Sequence, residues 1–399
     1  MSRKKKPKTE SPAEEVSTEP ELSEEELEFL AREAALISSV TSRFGKTALR
    51  RASEVPDVFR LRRPTGIPSL DLELHGGFPA GGISQIIGED GIGKTDLCWR
   101  CLRQQQIIQG PRYRGAMICV EMQPDFSQAR FAGLKIPYTE EEVYWLHQDY
   151  PEDLVKTRIE DQQAEGDTLF PVGKTAEEAL DIAASILESG LFQLIVVDSI
   201  GAIQPSNMTD RELGDGAVVA TKANVITNFM GKVWSYYNQP LSTGGYNETS
   251  ILVLNQYREK VEMGSAMGRD LRIGGGRALK HGKLTDLFLR RTAWIREGDN
   301  KLIVGKRVAA EILKGKAGIH EGAVATWDFR HSMGVDIGAS LIELGMANEQ
   351  IQKSGAWYSM GTTRLGQGAS NAGQNVLTLR QEIMEEAFKR RKIPSFRIR

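Results

Sequence analysis

The chain has 399 residues, of which 40% are hydrophobic, and its acidic and basic residues nearly cancel to a formal net charge of −2. This composition allows a full α/β core with small appendages, and it argues against a protein that coats nucleic acid with its entire surface. No run approaches the roughly 18 to 20 apolar residues that span a bilayer, and the charged N-terminus is unlike a signal peptide. We therefore expect a soluble, cytoplasmic protein, and the three cysteines suit a reducing compartment.

The N-terminal 64 residues divide into two predicted segments. Residues 1–26 are polar, first basic and then rich in glutamate, which is the composition of a disordered tail. Apolar residues then recur at three- and four-residue steps from about Glu26 to Phe44, which predicts an amphipathic helix that ends at Gly45. This helix belongs to an N-terminal segment, residues 27–64. Its apolar face needs a partner, either its own domain or a neighbouring subunit on which the segment docks.

A glycine-rich stretch provides the strongest single motif. Residues 88–95 read Gly-Glu-Asp-Gly-Ile-Gly-Lys-Thr and match the phosphate-loop pattern G-x-x-x-x-G-K-[ST]. An apolar run in front predicts a buried strand, and a helix is expected to begin near Thr95. In such a loop, backbone N–H groups surround phosphate, Lys94 reaches the β- and γ-phosphates, and Thr95 ligates magnesium. The alternative is a flexible glycine turn. The predicted nucleotide-binding residues here are Gly88, Glu89, Asp90, Gly91, Ile92, Gly93, Lys94, Thr95 and Asp96.

Apolar strand runs alternate with helical patterns through residues 65–333, which predicts an α/β domain with a mostly parallel sheet and helices on both faces. Three further runs end in polar residues, at Glu121, at Asp198 and at Asn255 followed by Gln256. Ligands bind beyond the carboxyl ends of the strands in open parallel sheets. We therefore expect these side chains to converge on the phosphate loop.

The residues at these strand ends suit phosphoryl chemistry. Asp198 is placed as the second magnesium contact, direct or through water, or else it caps the next turn. Glu121 is placed to orient and deprotonate a water in line with the γ-phosphate, or else it is a surface acid. Gln256 carries both a donor and an acceptor, so it can report a γ-phosphate to the loop that follows.

Residues 257–276 predict a flexible, basic loop. A nucleotide-switched protein that binds a polyanion would use such a loop, and the alternative is a solvated surface loop. Further along the chain, Lys314 and Lys316 follow a strand-like run and point the same way from an extended backbone. They can neutralise the charge of a γ-phosphate, including one on an adjacent subunit, or they are ordinary surface lysines. The basic residues predicted to contact such a polyanion are Arg258, Lys260, Arg269, Arg272, Arg277 and Lys280.

Three other regions carry weaker signals. Residues 138–174 are polar and rich in acids, and they predict an irregular, exposed insertion. Cys98 and Cys101 have C-x-x-C spacing, but zinc needs four ligands and no second Cys or His pair accompanies them. We expect these cysteines to pack in the core on one helix face. Residues 334–399 predict a smaller C-terminal domain whose end turns basic.

The chain from about residue 35 to residue 374 resembles the RecA family of homologous-recombination ATPases, including its bacteriophage members. The most specific match lies at residues 354–359, which read Ser-Gly-Ala-Trp-Tyr-Ser, together with residues 365–368. They resemble a hallmark of the family's C-terminal domain that other ATPases with the same core lack. The other matching segments are the lead-in to the phosphate loop (65–71 and 76–81), the magnesium strand (196–199), the nucleotide-sensing strand (254–258) and the segment closing the second DNA-binding loop (275–280).

The resemblance implies a RecA-type ATPase core with an N-terminal helix and a small α/β C-terminal domain. It also implies that Glu121 is the catalytic carboxylate, that Gln256 is the γ-phosphate sensor, and that Lys314 and Lys316 reach across the subunit interface. Asp125 matches the residue that contacts adenine.

The resemblance further assigns the DNA-binding loops, the first to residues 205–218 and the second to residues 257–274. Two residues depart from the pattern of the bacterial proteins. Gln128 lies where a tyrosine packs against adenine, and Asp96 follows Thr95 where a second threonine is usual. The C-terminus is basic where the bacterial proteins carry an acidic tail. These differences favour a divergent member, such as one encoded by a bacteriophage.

The function implied is that of an ATP-dependent DNA recombinase, with ATP and Mg²⁺ as cofactors. It would form helical filaments on single-stranded DNA, with ATP between subunits, and exchange strands with homologous duplex DNA. Single-strand-binding and mediator proteins are candidate partners. Two alternatives stay open. A ring helicase or other DNA motor on the same core is disfavoured by the C-terminal hallmark around Trp357. A non-catalytic recombination mediator is disfavoured by the intact Lys94, Thr95, Glu121 and Asp198.

Overall fold

The structure is a computed structural model that describes most of the chain. The described residues are 23–45, 48–49, 57–120, 123–163, 166–173, 175–202, 217–242, 244–259, 271–273, 276–393 and 397–398. They form parts of two compact units, Met1–Val55 and Pro56–Arg399. Within these ranges, no helix has the length and apolar character needed to cross a membrane.

The first unit contains the helix α1 (Glu24–Phe44). Ser23 and Glu26 form a reciprocal capping box at its start, and the Gly45 N–H bonds to the Thr41 carbonyl at its end. The helix therefore ends where the sequence predicts and begins two residues earlier, because Ser23 supplies a cap. None of its residues is buried, and the side chain of Phe29 is 68% exposed.

The second unit contains the remaining elements. Its helices are α2 (Pro68–Glu73), α3 (Lys94–Gln109), α4 (Phe126–Phe131), α5 (Glu140–Asp149), α6 (Glu152–Asp161), α7 (Ala176–Ser189), α8 (Ala217–Asn238), α9 (Gly276–Gly282), α10 (Ile337–Ala347), α11 (Ala369–Val376) and α12 (Arg380–Arg390). Its strands are β1 (Leu61–Arg63), β2 (Phe78–Pro79), β3 (Gly82–Gly88), β4 (Arg114–Cys119), β5 (Asp167–Leu169), β6 (Leu194–Asp198), β7 (Ser250–Asn255), β8 (Tyr257–Glu259), β9 (Leu271–Ile273), β10 (Thr285–Glu297), β11 (Leu302–Gly315), β12 (Val324–Arg330), β13 (Gly334–Val335), β14 (Ile351–Ser354), β15 (Trp357–Met360), β16 (Thr363–Gln367) and β17 (Arg397–Ile398).

The main sheet has the strand order β13-β12-β11-β10-β3-β7-β6-β4-β5. The six strands from β10 to β5 run parallel to their neighbours, whereas β11, β12 and β13 are added as antiparallel strands. The predicted fold class, an α/β protein with a mostly parallel sheet, is confirmed. The parallel order brings the carboxyl ends of β3, β7, β6 and β4 to one edge of the sheet.

Alternate residues of each central strand enter two different cores. On β6, Leu194 and Val196 face the cluster that includes α3, whereas Ile195 and Val197 face the cluster that includes α7 and α8. This alternation follows from the two-residue period of a strand, and it covers both faces of the sheet with helices. Cys98 and Cys101 lie buried on α3 as core residues, which agrees with the packing expected for them.

The last part of the chain packs on the segment that precedes the phosphate loop. Helices α10 and α12 and the sheet β14-β15-β16 share an apolar core, and Leu72 of α2 is part of it. The guanidinium of Arg391 lies 2.7 Å from a carboxylate oxygen of Glu73, and the Arg380 side chain donates to the Gly66 carbonyl at 3.2 Å. The basic end of the chain is thus bonded to α2, and β17 pairs with β1.

The lead-in to the phosphate loop is held by a buried carboxylate. Asp71 accepts hydrogen bonds from the backbone N–H of Thr65 at 2.7 Å, from the Thr65 hydroxyl at 2.8 Å and from the Gly66 N–H at 3.1 Å. Burial raises the pKa of Asp71 to about 6, although these donors and Arg380 act in the opposite direction. The lead-in motif therefore has a structural role that fixes the turn before α2.

The prediction for residues 138–174 was wrong in one respect. The region contains α5 and α6, and β5 pairs with β4 at the edge of the sheet. Thr139 and Glu142 form a capping box at the start of α5, and Val155 of α6 is fully buried. Half of the acids that suggest an irregular insertion lie in the first turns of α5 and α6, where they stabilise the N-terminal ends of helices.

The buried side chain of His75 makes a pH-dependent contribution to stability. Burial, His320, Arg62 and Arg391 together lower the pKa of His75 to about 4. An unfolded histidine titrates near 6.5. As pH falls from about 6.5 to about 4, the unfolded chain takes up the proton first, so stability is lost in that window. His75→Asn keeps a residue that tolerates the φ of 53° and cannot take up this proton.

Between about pH 7 and about pH 4.5, we expect the Tm of His75→Asn to fall by less than the Tm of the wild-type protein, as measured by thermal unfolding. His331→Asn, at an exposed histidine, is the control and should keep the wild-type pH dependence. Equal slopes for the wild-type protein and His75→Asn would show that His75 does not contribute.

Candidate nucleotide and DNA site

The phosphate loop connects β3 to α3 and is anchored at both ends. Gly88 ends β3, and a Cβ atom there would lie 2.7 Å from the Leu289 carbonyl of β10, so only glycine fits. Gly93 caps α3 with a φ of 110°, which is a conformation that glycine adopts without strain. Between them, Ile92 is 3% exposed and packs in the core. The loop is therefore held in a curled conformation at the N-terminus of a 16-residue helix.

Lys94 bends back over the loop. Its ammonium donates to the carbonyls of Gly88 and Glu89, both at 2.9 Å, and lies 3.8 Å from a carboxylate oxygen of Asp90. The Lys94 side chain is 11% exposed, whereas that of Asp90 is 85% exposed. A cation is thus placed at the centre of the loop, where the sequence predicts a phosphate contact.

Thr95 and Asp198 come together from two elements that are 103 residues apart in sequence. The Thr95 hydroxyl, on the first turn of α3, donates to a carboxylate oxygen of Asp198 at 2.8 Å, at the end of β6. A hydroxyl and a carboxylate are hard oxygen ligands of the kind that Mg²⁺ prefers. The two predicted metal ligands are therefore adjacent, and their chemistry fits that ion.

Asp96 turns along the helix and pairs with Arg100. The Arg100 Nε lies 2.9 Å from a carboxylate oxygen of Asp96, and both side chains are largely buried, at 13% and 17% exposure. This i,i+4 pair offsets the negative charge that Asp96 adds beside the phosphate loop.

The carboxyl ends of β7 and β4 lie at the same edge of the sheet as those of β3 and β6. Asn255 ends β7, is 1% exposed, and its side-chain oxygen accepts from the Gln256 N–H at 2.9 Å. Gln256 itself is exposed. A Cβ atom on Gly201 would lie 3.1 Å from the Asn255 side-chain oxygen, so the segment after β6 passes close to the segment after β7. Glu121 lies outside the described residues, and β4 ends two residues before it, at Cys119.

Asp125 has a local role at the start of α4. Its carboxylate accepts from the Gln128 N–H at 3.1 Å, which makes it the N-cap of that helix. The Gln128 side chain is exposed. An N-capping carboxylate keeps further acceptor capacity, so this bond is compatible with the expected contact to adenine.

The predicted DNA-binding residues are only partly described. β8 and β9 form a two-stranded antiparallel ribbon in which Arg258 and Arg272 are paired in register. Lys260 and Arg269 lie outside the described residues, as do residues 203–216, which include most of the first predicted loop. Arg277 and Lys280 are exposed on α9, which begins where the second loop ends.

Lys314 and Lys316 converge on the C-terminal end of α9. The Lys314 ammonium donates to the carbonyls of Lys280 at 2.7 Å and His281 at 3.3 Å, and the Lys316 ammonium donates to the His281 carbonyl at 3.5 Å. Burial and the neighbouring charges of Lys316 and Lys283 lower the pKa of Lys314. Positive charge is therefore concentrated at the C-terminal end of α9.

Comparison with known proteins places this chain in a family. A model of the RecA N-terminal domain matches residues 167–335, and a model of the RecA C-terminal domain matches residues 339–390. Protein RecA of Caldanaerobacter subterraneus subsp. tengcongensis is 30% identical over 351 residues, which cover 88% of this chain and 89% of the relative. The chain belongs to the RecA family.

Other RecA relatives show a similar extent of likeness. Protein RecA of Clostridium acetobutylicum is 30% identical over 85% of this chain and 84% of its own length. Protein RecA of Bacillus pumilus is 28% identical over 90% of this chain and 93% of its own length. The alignment with the Bacillus pumilus protein leaves out only a tenth of this chain, so it includes the phosphate loop, which lies N-terminal to the match with the RecA N-terminal domain.

One residue near this RecA-family phosphate loop was missed by the sequence analysis. Lys306, on β11, donates to the carbonyl of Gly91 at the tip of the loop. No local motif marks this lysine, since 215 residues separate it from Gly91. Its place in the site depends on the register of β11 in the main sheet.

Proposed function

We propose that this RecA-family protein is an ATP-dependent DNA recombinase that forms helical filaments on single-stranded DNA and catalyses pairing and strand exchange with homologous duplex. The observation that carries the proposal is the approach of Thr95 to Asp198 beside Lys94. A chain that kept the fold and lost nucleotide chemistry would not need these three side chains at one edge of the sheet.

The proposed site binds ATP through the chain's own donors. Lys94 would exchange its two carbonyl acceptors for phosphate oxygens, which are stronger acceptors because they are charged. Backbone N–H groups at the start of α3 would stabilise the same negative charge. Thr95 and Asp198 would hold Mg²⁺, which supplies positive charge to the transferring phosphoryl group when it is bound. Asp125 is the proposed contact to adenine.

Hydrolysis is assigned to residues at neighbouring strand ends. In the proposal, Glu121 orients a water and takes its proton, and Gln256 contacts the γ-phosphate. The exposed Gln256 immediately precedes β8, the first strand of the basic ribbon. A change in the contacts of Gln256 on hydrolysis would therefore reach the ribbon through a single peptide unit.

The DNA site is proposed at the ribbon and α9. Arg258 and Arg272 are partners in the backbone register of β8 and β9, so each strand of the ribbon contributes a basic residue for the binding of anions. A DNA backbone supplies such anions, and its binding needs no sequence readout because base pairing between the strands provides it. The proposed DNA contacts are Arg258, Lys260, Arg269, Arg272, Arg277 and Lys280.

The decisive experiment is steady-state ATP hydrolysis with and without single-stranded DNA. We expect stimulation by DNA in the wild-type protein, and we expect Glu121→Gln to bind ATP while hydrolysing it about 10² to 10⁴ times more slowly. Glu152→Gln, at an exposed glutamate of α6, is the matched control and should hydrolyse normally.

Each alternative function predicts a different outcome of this measurement. Wild-type protein without turnover in either condition would support a non-catalytic mediator. DNA-stimulated hydrolysis with duplex unwinding, and without strand exchange between homologous molecules, would support a DNA motor. Normal turnover in Glu121→Gln would remove that residue as the catalytic carboxylate.

A further inference from the structure

Lys306 links the long strand β11 to the tip of the phosphate loop. Its ammonium donates to the Gly91 carbonyl and lies 5.3 Å from the centre of the Phe329 ring. The backbone of Lys306 is paired on both sides, with Trp294 of β10 and with Phe329 of β12. The lysine therefore extends from a fixed point of the sheet, whereas Gly91 is an exposed residue at the turn of a loop.

Two charged side chains, those of Arg291 and Asp96, act on the ammonium group of Lys306. Burial and the positive charge of Arg291 lower the pKa of Lys306, and the negative charge of Asp96 acts in the opposite direction. Asp96 also pairs with Arg100. Asp96 thus forms an ion pair with a cation on its own helix and interacts electrostatically with a second cation on β11.

We propose that Lys306 is a positioning residue of the phosphate loop, which holds the Gly91 carbonyl and offsets the charge of Asp96 for the binding of a nucleoside triphosphate. This inference rests on the proposed function, because it concerns the same site. Phosphate binding requires the N–H groups of the loop to face the anion while carbonyls turn elsewhere. An ammonium anchored in the sheet keeps the carbonyl at the tip in such an orientation.

The second role follows from electrostatics. A carboxylate in the first turn of α3 is favourable for the helix but repels the phosphates of a ligand. The positive charge of Lys306 would reduce that repulsion. The effect of removing Lys306 should therefore depend on whether residue 96 carries a charge.

The test measures the affinity for a fluorescent, non-hydrolysable ATP analogue with magnesium and without DNA. We expect Lys306→Met to weaken binding roughly tenfold, which is the effect of one lost hydrogen bond to a charged group. Lys306→Arg should recover most of the affinity, since it restores a cationic donor. Lys301→Met removes the same charge from the distal turn of the same hairpin and should bind like the wild-type protein. In steady-state hydrolysis, KM should rise in Lys306→Met while kcat changes little.

A double-mutant cycle tests the link to Asp96. In the Asp96→Asn background, Lys306→Met should cost about threefold rather than tenfold, and additive effects would overturn the role assigned to Asp96. Binding by Lys306→Met within about twofold of the wild-type value would overturn the proposal as a whole. If Lys306→Met lowers the Tm markedly, Lys306→Gln replaces it in every comparison. Failure of the wild-type protein to bind the analogue would instead refute the proposed function.

Discussion

The variant Lys94→Ala should lose at least about 100-fold in affinity for ATP and with it all nucleotide-dependent binding of DNA. The reason is the position of the ammonium, which lies between two loop carbonyls 2.9 Å away and would contact two phosphate groups instead. Each lost bond to a charged group costs roughly 1.5 to 3 kcal/mol, and two such bonds account for a loss of this size. Affinity is measured with a fluorescent ATP analogue, and DNA binding by fluorescence anisotropy.

The folded state should survive this change. Alanine is a good helix former at the first position of α3. Lys232→Ala is the control, because it removes an exposed lysine of α8 that pairs with Asp181 at 2.7 Å. Nucleotide-dependent binding of DNA by Lys94→Ala, at wild-type strength, would refute the phosphate-loop assignment.

Replacement of both Lys314 and Lys316 by alanine should reduce kcat for ATP hydrolysis by about 10³-fold or more, with ATP binding to the single protomer retained. Cations that contact the transferring phosphoryl group from a second subunit have effects of this size. Both lysines donate to carbonyls at the C-terminal end of α9, and these bonds do not involve the phosphate loop of the same chain. The double variant Lys156→Ala/Lys232→Ala, at exposed lysines, is the control.

A mixing experiment distinguishes action across an interface from action within one chain. The Lys314→Ala/Lys316→Ala protein keeps Glu121, and the Glu121→Gln protein keeps both lysines. Where the two proteins meet in the correct order, one complete site forms, so turnover in the mixture should exceed that of either protein alone. No recovery at any mixing ratio would place the lysines in the site of their own protomer.

The local patterns of the sequence predicted the elements that depend on local chemistry. The phosphate loop needs glycines at fixed offsets, and its strand in front and its helix behind follow from apolar periodicity. The parallel sheet followed from the alternation of such elements, and the approach of Thr95 to Asp198 followed from the rule that polar strand ends share one edge. The roles of Glu121, Gln256 and the two lysines remain predictions.

Contacts that depend on strand register or side-chain orientation could not be predicted in this way. The sequence shows that Asp96 is charged, but only the fold shows that its carboxylate pairs with Arg100 one turn later. The sequence does not distinguish Lys306 from the other lysines. Its contact with the phosphate loop follows only from the position of β11 between β10 and β12. The helices α5 and α6 do not follow from the sequence pattern, because a run of acids is typical of irregular insertions and also of helix N-terminal ends.

The bonds from Lys314 and Lys316 to the last carbonyls of α9 also constrain the order of events in an assembly. The last carbonyls of a helix lack N–H partners within the helix, and here the two ammonium groups donate hydrogen bonds to them. A lysine that moves to a neighbour's phosphate must first leave its carbonyl, which then needs water or another donor. The start of α9 lies at the end of the basic ribbon segment, so a DNA strand that shifts this helix also shifts the acceptors. In the proposed assembly, the free-energy cost of releasing the lysines would therefore be set at the same short helix that DNA contacts, so that DNA binding would change the cost of moving the lysines to a neighbour's phosphate.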